Sequence, residues 1–151
     1  MRMHNLQCKV FVFGVFDLFH PGHVAFLREA RQHGEHLIVN LTQDSVVEEL
    51  KGMPPVHSWD ERHAILMQSG LVDEIVAGDK MRGMFSQVVA TRPDVIAFGY
   101  DQGALQVAVE AWIKRYAFNI RTVRLAPYKQ DQYKSSILRA TYDRSKNTSG
   151  T

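Results

Sequence analysis

The chain has 151 residues, of which 45% are hydrophobic and 23% are charged, and its formal net charge is +2. This length fits one domain with a proper hydrophobic core and is short for two. A net charge so close to zero argues against a protein that binds nucleic acid or membrane surfaces through clustered cations. The single cysteine, Cys8, excludes an internal disulfide and a zinc site made of four cysteines.

Targeting and membrane segments are not expected from this sequence. The first ten residues, MRMHNLQCKV, lack the apolar run of a signal peptide. No stretch approaches the roughly 20 apolar residues of a membrane span. Together with the lone cysteine, these features predict a cytoplasmic protein in a reducing compartment.

Short apolar runs alternate along the chain with stretches of helical periodicity. The predicted strands are Val10–Phe13, His36–Leu41, Glu74–Ala77, Val95–Phe98 and Ile120–Leu125. The first predicted helix follows HPGH and ends near Gly34, and a short helical turn is predicted at Ser45–Leu50. A third helix is capped by Ser58 and runs to Gly70. The remaining predicted helices are Phe85–Thr91, a helix with an apolar face from Leu105 to Tyr116, and Ser135–Tyr142. This order predicts an α/β fold, a single-domain Rossmann-like parallel sheet with helices on both faces.

The predicted domain covers residues 8–142, and the polar tail 143–151 is expected to be disordered because it can bury almost nothing. In a parallel α/β sheet, ligands bind beyond the carboxyl ends of the strands, at the topological switch point. Three polar or glycine-rich segments directly follow predicted strands: Gly14–His23, Gly99–Gly103 and Pro127–Ser136. We expect these three loops to converge on one site.

The loop after the first predicted strand reads GVFDLFHPGH and contains two histidines, His20 and His23. If Pro21 lies near the start of a helix, both imidazoles can face the same ligand. Beside the exposed amides of a helix N-terminus, they would form a donor cluster suited to a phosphate chain. From spacing alone, two surface histidines at a helix cap and a metal-binding pair remain as alternatives.

GVFDLFHPGH resembles the G-[TS]-F-D-x-x-H-x-G-H motif of nucleotidyltransferases, the cytidylyltransferase-like branch of the HIGH superfamily. The matching residues are Gly14, Phe16, Asp17, His20, Gly22 and His23. Val15 replaces the usual Thr or Ser, so one hydroxyl is lost while the backbone contact with the nucleotide can remain. The resemblance implies that this loop and both histidines bind a triphosphate and stabilise its transition state.

Three further segments between Val10 and Arg139 resemble the same family. DSVVEELKGMPPV is similar to the segment that places a lysine over the phosphates, here Lys51. SWDERHAIL is similar to the helix whose arginine, here Arg62, reaches the active site, and PDVIAFGYDQ to the strand and loop that meet the nucleotide through Asp101. Without the resemblance, Lys51 and Arg62 would be interpreted as surface cations and Asp101 as a turn residue.

The segment YKSSILR resembles the last motif of the family, in which hydroxyls and amides at a helix start bind phosphate oxygens. Ser135 and Ser136 match two of the hydroxyls, whereas Lys134 replaces a small residue. In isolation, Ser135 would be interpreted as a helix cap.

The resemblance implies an enzyme, a nucleotidyltransferase that transfers a nucleoside monophosphate from a nucleoside triphosphate to a phosphorylated small molecule and releases pyrophosphate. LKGMPP, GYDQ and RLAPYKQDQYKSSI are most similar to archaeal-type FAD synthases, which use ATP and FMN. Glycerol-3-phosphate cytidylyltransferases, which use CTP, are the next most similar group. A rival of another class is a non-catalytic relative that binds a nucleotide or flavin, for which Val15 and Lys134 are the sequence support.

The expected roles follow from these matches. The residues expected to be catalytic are His20, His23, Lys51 and Arg62, and those expected to bind the nucleotide are Gly14, Val15, Phe16, His20, His23, Asp101, Ser135 and Ser136. Mg²⁺ or another divalent cation is expected to bridge the phosphates, with Asp17 as a candidate ligand. By analogy with the family, a homodimer is expected.

Overall fold

The computed structural model describes residues 7–127 and Arg139, which form alternating strands and helices. The strands are β1 (Lys9–Gly14), β2 (His36–Leu41), β3 (Glu74–Ala77), β4 (Val95–Phe98) and β5 (Arg121–Arg124). The helices are α1 (Pro21–Arg31), α2 (Asp44–Lys51), α3 (Trp59–Gln68), α4 (Ser86–Thr91) and α5 (Gly103–Arg115). Apart from Arg139, the predicted final helix at Ser135–Tyr142 and the predicted disordered tail at 143–151 lie outside the described residues.

The five strands form one parallel sheet in the order β3-β2-β1-β4-β5. The central strand, β1, pairs with β2 on one side and with β4 on the other. The chain builds outward from β1 to β3 and then crosses back to β4, so the sheet has its topological switch point between β1 and β4. The predicted parallel α/β fold is confirmed.

Both faces of the sheet are covered by helices, which explains why the three inner strands, β1, β2 and β4, are mostly buried apolar runs. Successive β1 side chains point to opposite faces, so one strand contributes to two separate clusters of buried residues. The clusters contain Val10, Val12, Leu27 (α1) and Leu66 (α3) on one face, and Phe11, Phe13, Val88 (α4) and Val109 (α5) on the other. No helix within residues 7–127 is long and apolar enough to cross a membrane.

Two helix starts place site residues at the carboxyl edge of the sheet. Helix α1 begins after His20, whose side chain accepts a hydrogen bond from the amide of Gly22. Helix α3 begins after Ser58 with a capping box, in which Ser58 and Glu61 each accept the other's backbone N–H. These caps fix the first turn of each helix and therefore the positions from which the side chains of His23 and Arg62 project.

Candidate active site

The loop between β1 and α1 is tightly folded around the ring of Phe16. Phe16 and Leu18 both have left-handed backbones, each with φ of 51°. The Phe16 ring lies so close to Gly14 that a Cβ atom at position 14 would overlap it. The same ring packs edge-on against His23, with ring centroids 5.2 Å apart. The Phe16 side chain therefore packs against His23 from inside the protein. Only the backbone of Phe16, not its ring, is suited to contacting a ligand.

His20 and His23 stack on each other, with ring centroids 3.7 Å apart and an angle of 24° between the rings. Nδ1 of His20 accepts the Gly22 N–H at 3.1 Å, so the proton of the neutral His20 ring is on Nε2. Burial lowers the pKa of His20. Burial, together with the charges of His20 and Lys51, lowers the pKa of His23 to about 3. At pH 7 both rings are therefore chiefly neutral hydrogen-bonding groups.

Nδ1 of His23 is buried and has no hydrogen-bond partner within residues 7–127 and Arg139. A buried polar atom without a partner costs free energy unless a ligand satisfies it. Its place next to the first turn of α1 is where a helix N-terminus favours an anion. This atom is the strongest geometric sign of a phosphate site at the HPGH loop.

Lys51 is the last residue of α2 and is exposed at the same edge of the sheet. Partial desolvation lowers the pKa of its ammonium group, the carboxylates of Asp17 and Asp101 oppose this shift, and Arg139 and Arg62 add to it. Lys51 in turn contributes to the low pKa of His23. The structure thus brings Lys51 and Asp101 into one electrostatic neighbourhood with the histidine pair.

Asp17, the candidate metal ligand, is 5% exposed. One carboxylate oxygen accepts the amide of Val56 at 2.7 Å, and the other accepts the amide of His57 at 3.0 Å. Within residues 7–127 and Arg139, no three His, Cys, Asp or Glu side chains are grouped so that they could bind a metal ion. The described residues therefore do not fit a protein cage for Mg²⁺.

Arg62, expected from the resemblance to be catalytic, lies in the interior of the described structure. Its side chain is fully buried, with 0% exposure. Nε donates to the His57 carbonyl at 3.1 Å, one Nη to the Val15 carbonyl at 2.8 Å, and the other Nη to the Asp44 carboxylate at 2.7 Å. Every nitrogen of the guanidinium has an internal partner, so Arg62 supports the backbone at Val15 and His57.

Gln102 and Thr42 join the site loops in a way that the sequence analysis did not identify. Gln102 accepts the Gly99 amide at 2.8 Å and donates to the Phe13 carbonyl at 3.0 Å, which connects the ends of β4 and β1. Thr42 donates to the Gly14 carbonyl through its backbone N–H at 3.0 Å and its hydroxyl at 3.1 Å. The GYDQ resemblance contained Gln102, but no spacing rule indicated its partners.

Two further features border this edge of the sheet. Arg139 donates to the Pro54 carbonyl at 2.6 Å and lies close enough to lower the pKa of Lys51. An open groove of about 640 Å³ is lined by Phe19, His20, Pro21, Val24, Ala25 and Arg28. Ser135 and Ser136, which were expected to bind phosphate, lie outside the described residues.

A parallel α/β sheet with a helix N-terminus and two neutral imidazoles at its switch point is the arrangement of a Rossmann-type domain. A family model described as cytidylyltransferase-like matches residues 11–141. The chain belongs to this family, as its sequence motifs implied.

Curated relatives and a solved structure agree with this membership. Archaeal FAD synthases are 33–40% identical to the chain. The one from Thermococcus sibiricus is 37% identical over 131 residues, which are 86% of this chain and 88% of that protein. The bifunctional protein HldE of Pseudomonas aeruginosa is 40% identical over 119 residues, which are 77% of this chain but 24% of HldE.

The solved structure is described as a lipopolysaccharide core biosynthesis protein from Thermoplasma volcanium. It superposes with a TM-score of 0.75 and 29% identity, covering 81% of this chain and 98% of its own. The fold is therefore shared over nearly the whole length of that protein.

Proposed function

We propose that this nucleotidyltransferase is an FAD synthase, which transfers the AMP group of ATP to the phosphate of FMN. The observation that carries the reaction class is the stacked His20–His23 pair at the start of α1, with a buried nitrogen available to a ligand. The choice of FMN is supported by the archaeal FAD synthases, which resemble the chain over most of their length. HldE resembles a similar part of this chain, but the match covers only a quarter of its own length.

The reaction needs positioning and charge neutralisation more than a strong base. A phosphate oxygen of FMN attacks the α-phosphorus of ATP in line, forming a new P–O–P bridge. The bond between the α-phosphorus and the bridging oxygen to the β-phosphate breaks, and pyrophosphate leaves with that oxygen. No covalent enzyme intermediate is required, and the atoms of ATP and FMN are all found in FAD and pyrophosphate.

In this proposal, Nε2–H of His20 and the ring of His23 bind oxygens of the α-phosphate and the leaving pyrophosphate. Both donors gain strength as charge develops on these oxygens, because they act in a partly desolvated site. Lys51 neutralises phosphate charge, and Asp101 faces the nucleoside. The backbone of Gly14–Phe16 approaches the nucleotide, and Ser135 and Ser136 bind the distal phosphates.

A divalent cation is part of the proposal, with Mg²⁺ bound through the phosphate oxygens that it prefers. We assign it no protein ligand, because the carboxylate of Asp17 is engaged with two backbone amides. The proposal also includes one domain over residues 8–142, a homodimer, and a cytoplasmic location, which the lone Cys8 supports.

The test is a competition between substrates. Purified protein is supplied with ATP or CTP and with FMN or glycerol 3-phosphate, and the products are identified by mass together with released pyrophosphate. We expect FAD from ATP and FMN, and no FAD from a His20→Ala/His23→Ala double variant prepared in the same way. Turnover of CTP with glycerol 3-phosphate alone would overturn the flavin assignment, and nucleotide binding without any turnover would favour the non-catalytic relative.

A further inference from the structure

The segment between α2 and α3, residues 52–58, directly follows Lys51 and has the sequence GMPPVHS. It begins with Gly52 in a left-handed conformation, with φ of 78°, and has no helix or strand of its own. Its backbone amides therefore need partners outside regular structure. The groups that bind these amides fix the position of the segment. They therefore also fix the position of Lys51, at the end of α2, relative to the histidine pair.

Asp17 supplies two of these partners from the middle of the HPGH loop. Its carboxylate accepts the amides of Val56 and His57, which are 39 and 40 residues further along the chain. Hydrogen bonds to an ionised carboxylate are roughly twice as strong as those between neutral groups. Since Asp17 is 5% exposed, water cannot easily replace either bond.

A second connection runs through Arg62 on the other side of the same segment. Its guanidinium donates both to the carbonyl of His57 and to the carbonyl of Val15, the residue that follows β1. Three hydrogen bonds therefore link residues 15–17 of the HPGH loop to residues 56–62. Asp17 accepts two of these hydrogen bonds, and both come from the segment 52–58, which directly follows Lys51.

We propose that Asp17 is a positioning residue, which fixes the segment 52–58 against the phosphate loop and so sets the place of Lys51 relative to His20 and His23. The proposal rests on the proposed function, because Lys51 meets a phosphate only in a nucleotide-binding enzyme. A displacement of about 1 Å in a catalytic group can cost roughly 10²-fold in rate. The Asp17 carboxylate acts through the backbone and through Lys51, not on the substrate.

The test is a double-mutant cycle of Asp17→Asn and Lys51→Ala. Asn has nearly the same shape, but its NH₂ group cannot accept one of the two amides. We expect Asp17→Asn to lower kcat/KM for ATP by about 10- to 10²-fold. If Asp17 acts through Lys51, the double variant falls no more than about twofold below Lys51→Ala.

The matched control is Asp73→Asn. Asp73 also accepts a backbone amide, that of Leu37 at 2.8 Å, but at the amino ends of the strands, away from the site. We expect this variant to lose thermal stability without a change in kcat/KM. A comparable kinetic loss in Asp73→Asn would show that the Asp17→Asn effect is a general consequence of destabilisation, which overturns the proposal.

Two other results also overturn it. Losses that multiply in the double variant would mean that Asp17 acts independently of Lys51, and a raised Mg²⁺ requirement confined to Asp17→Asn would make Asp17 a metal ligand. A separate measurement does not depend on activity: amide hydrogen exchange at Val56 and His57 should accelerate in Asp17→Asn but not in Asp73→Asn. If wild type transfers no nucleotide, the proposed function fails while this exchange result still decides whether Asp17 fixes the segment.

Discussion

Replacing Arg62 with methionine distinguishes two roles for this residue. The geometry indicates a structural role, whereas the sequence resemblance implied a contact with phosphate. Methionine fills much of the same space, but it donates no hydrogen bond. The carbonyls of Val15 and His57 each lose the guanidinium donor that the structure gives them. Asp44, whose side chain is 48% exposed, can exchange its ion pair for water at little cost.

The expected loss of stability follows from these contacts. A buried polar group deprived of its partner costs about 1–3 kcal/mol, so two carbonyls give about 2–6 kcal/mol in the free energy of unfolding. For a domain of this size, 1 kcal/mol corresponds to roughly 2–4 °C in Tm. We therefore expect Arg62→Met to lower Tm by roughly 4–24 °C. Arg62→Lys, which keeps the charge but presents fewer directed donors, should fall between wild type and Arg62→Met.

Urea unfolding and thermal melting measure this loss, and Lys114→Met serves as the control because Lys114 is an exposed cation on α5. Lys114→Met should stay within about 0.5 kcal/mol of wild type, as surface substitutions commonly do. If Arg62→Met keeps the Tm of wild type and instead raises KM for the nucleotide, the guanidinium contacts phosphate and the structural assignment is refuted.

Two further predictions concern the histidine pair. His20→Ala and His23→Ala should each lower kcat by about 10²–10³-fold, the usual cost of removing one transition-state donor. His33→Ala, at the opposite edge of the sheet, is the control and should leave kcat unchanged. A folded His20 or His23 variant with wild-type turnover contradicts the assigned role. Because the pKa of His23 falls to about 3 in the folded protein, the unfolded chain takes up a proton first as the pH drops. The stability that the neutral, buried His23 contributes is fully present above pH 6.5. As the pH falls from 6.5 toward 3, the free energy of unfolding decreases by up to about 1.4 kcal/mol per pH unit. Urea unfolding of wild type and His23→Gln across this range should show a difference that changes with pH, and parallel curves would contradict a buried, neutral His23.

Local sequence patterns predicted most of the fold. The bounds of β2, β3 and β4 agree with the predicted runs, because each is a short, mostly apolar stretch bounded by polar or glycine residues. The Ser58 cap is confirmed by its capping box. The errors lie at element ends: α1 stops at Arg31 rather than near Gly34, and Phe85 precedes α4 as its cap residue. Such ends depend on single hydrogen bonds that periodicity does not encode.

The site was less predictable because its support consists of contacts between distant residues. The motif identified the loop and the two histidines, which the structure places together at the start of α1. Nothing in the sequence indicated that Arg62 would be buried, since a lone arginine is most often exposed. Its partners lie 5, 18 and 47 residues away, a pattern without any local signature.

The central position of β1 has a consequence for how the chain assembles. Strand β1 is made first in the sequence, yet one of its two neighbours, β4, begins at Val95, and the Gln102 bond to Phe13 spans 89 residues. Closing so large a loop costs entropy before any contact compensates for it, which slows folding. Until β4 docks, β1 is an edge strand with a row of free backbone groups and two exposed phenylalanines, Phe11 and Phe13, that later enter the core. A nascent or truncated chain that ends before Val95 therefore exposes a strand edge that can pair with other chains, at the position of the switch point in the folded protein.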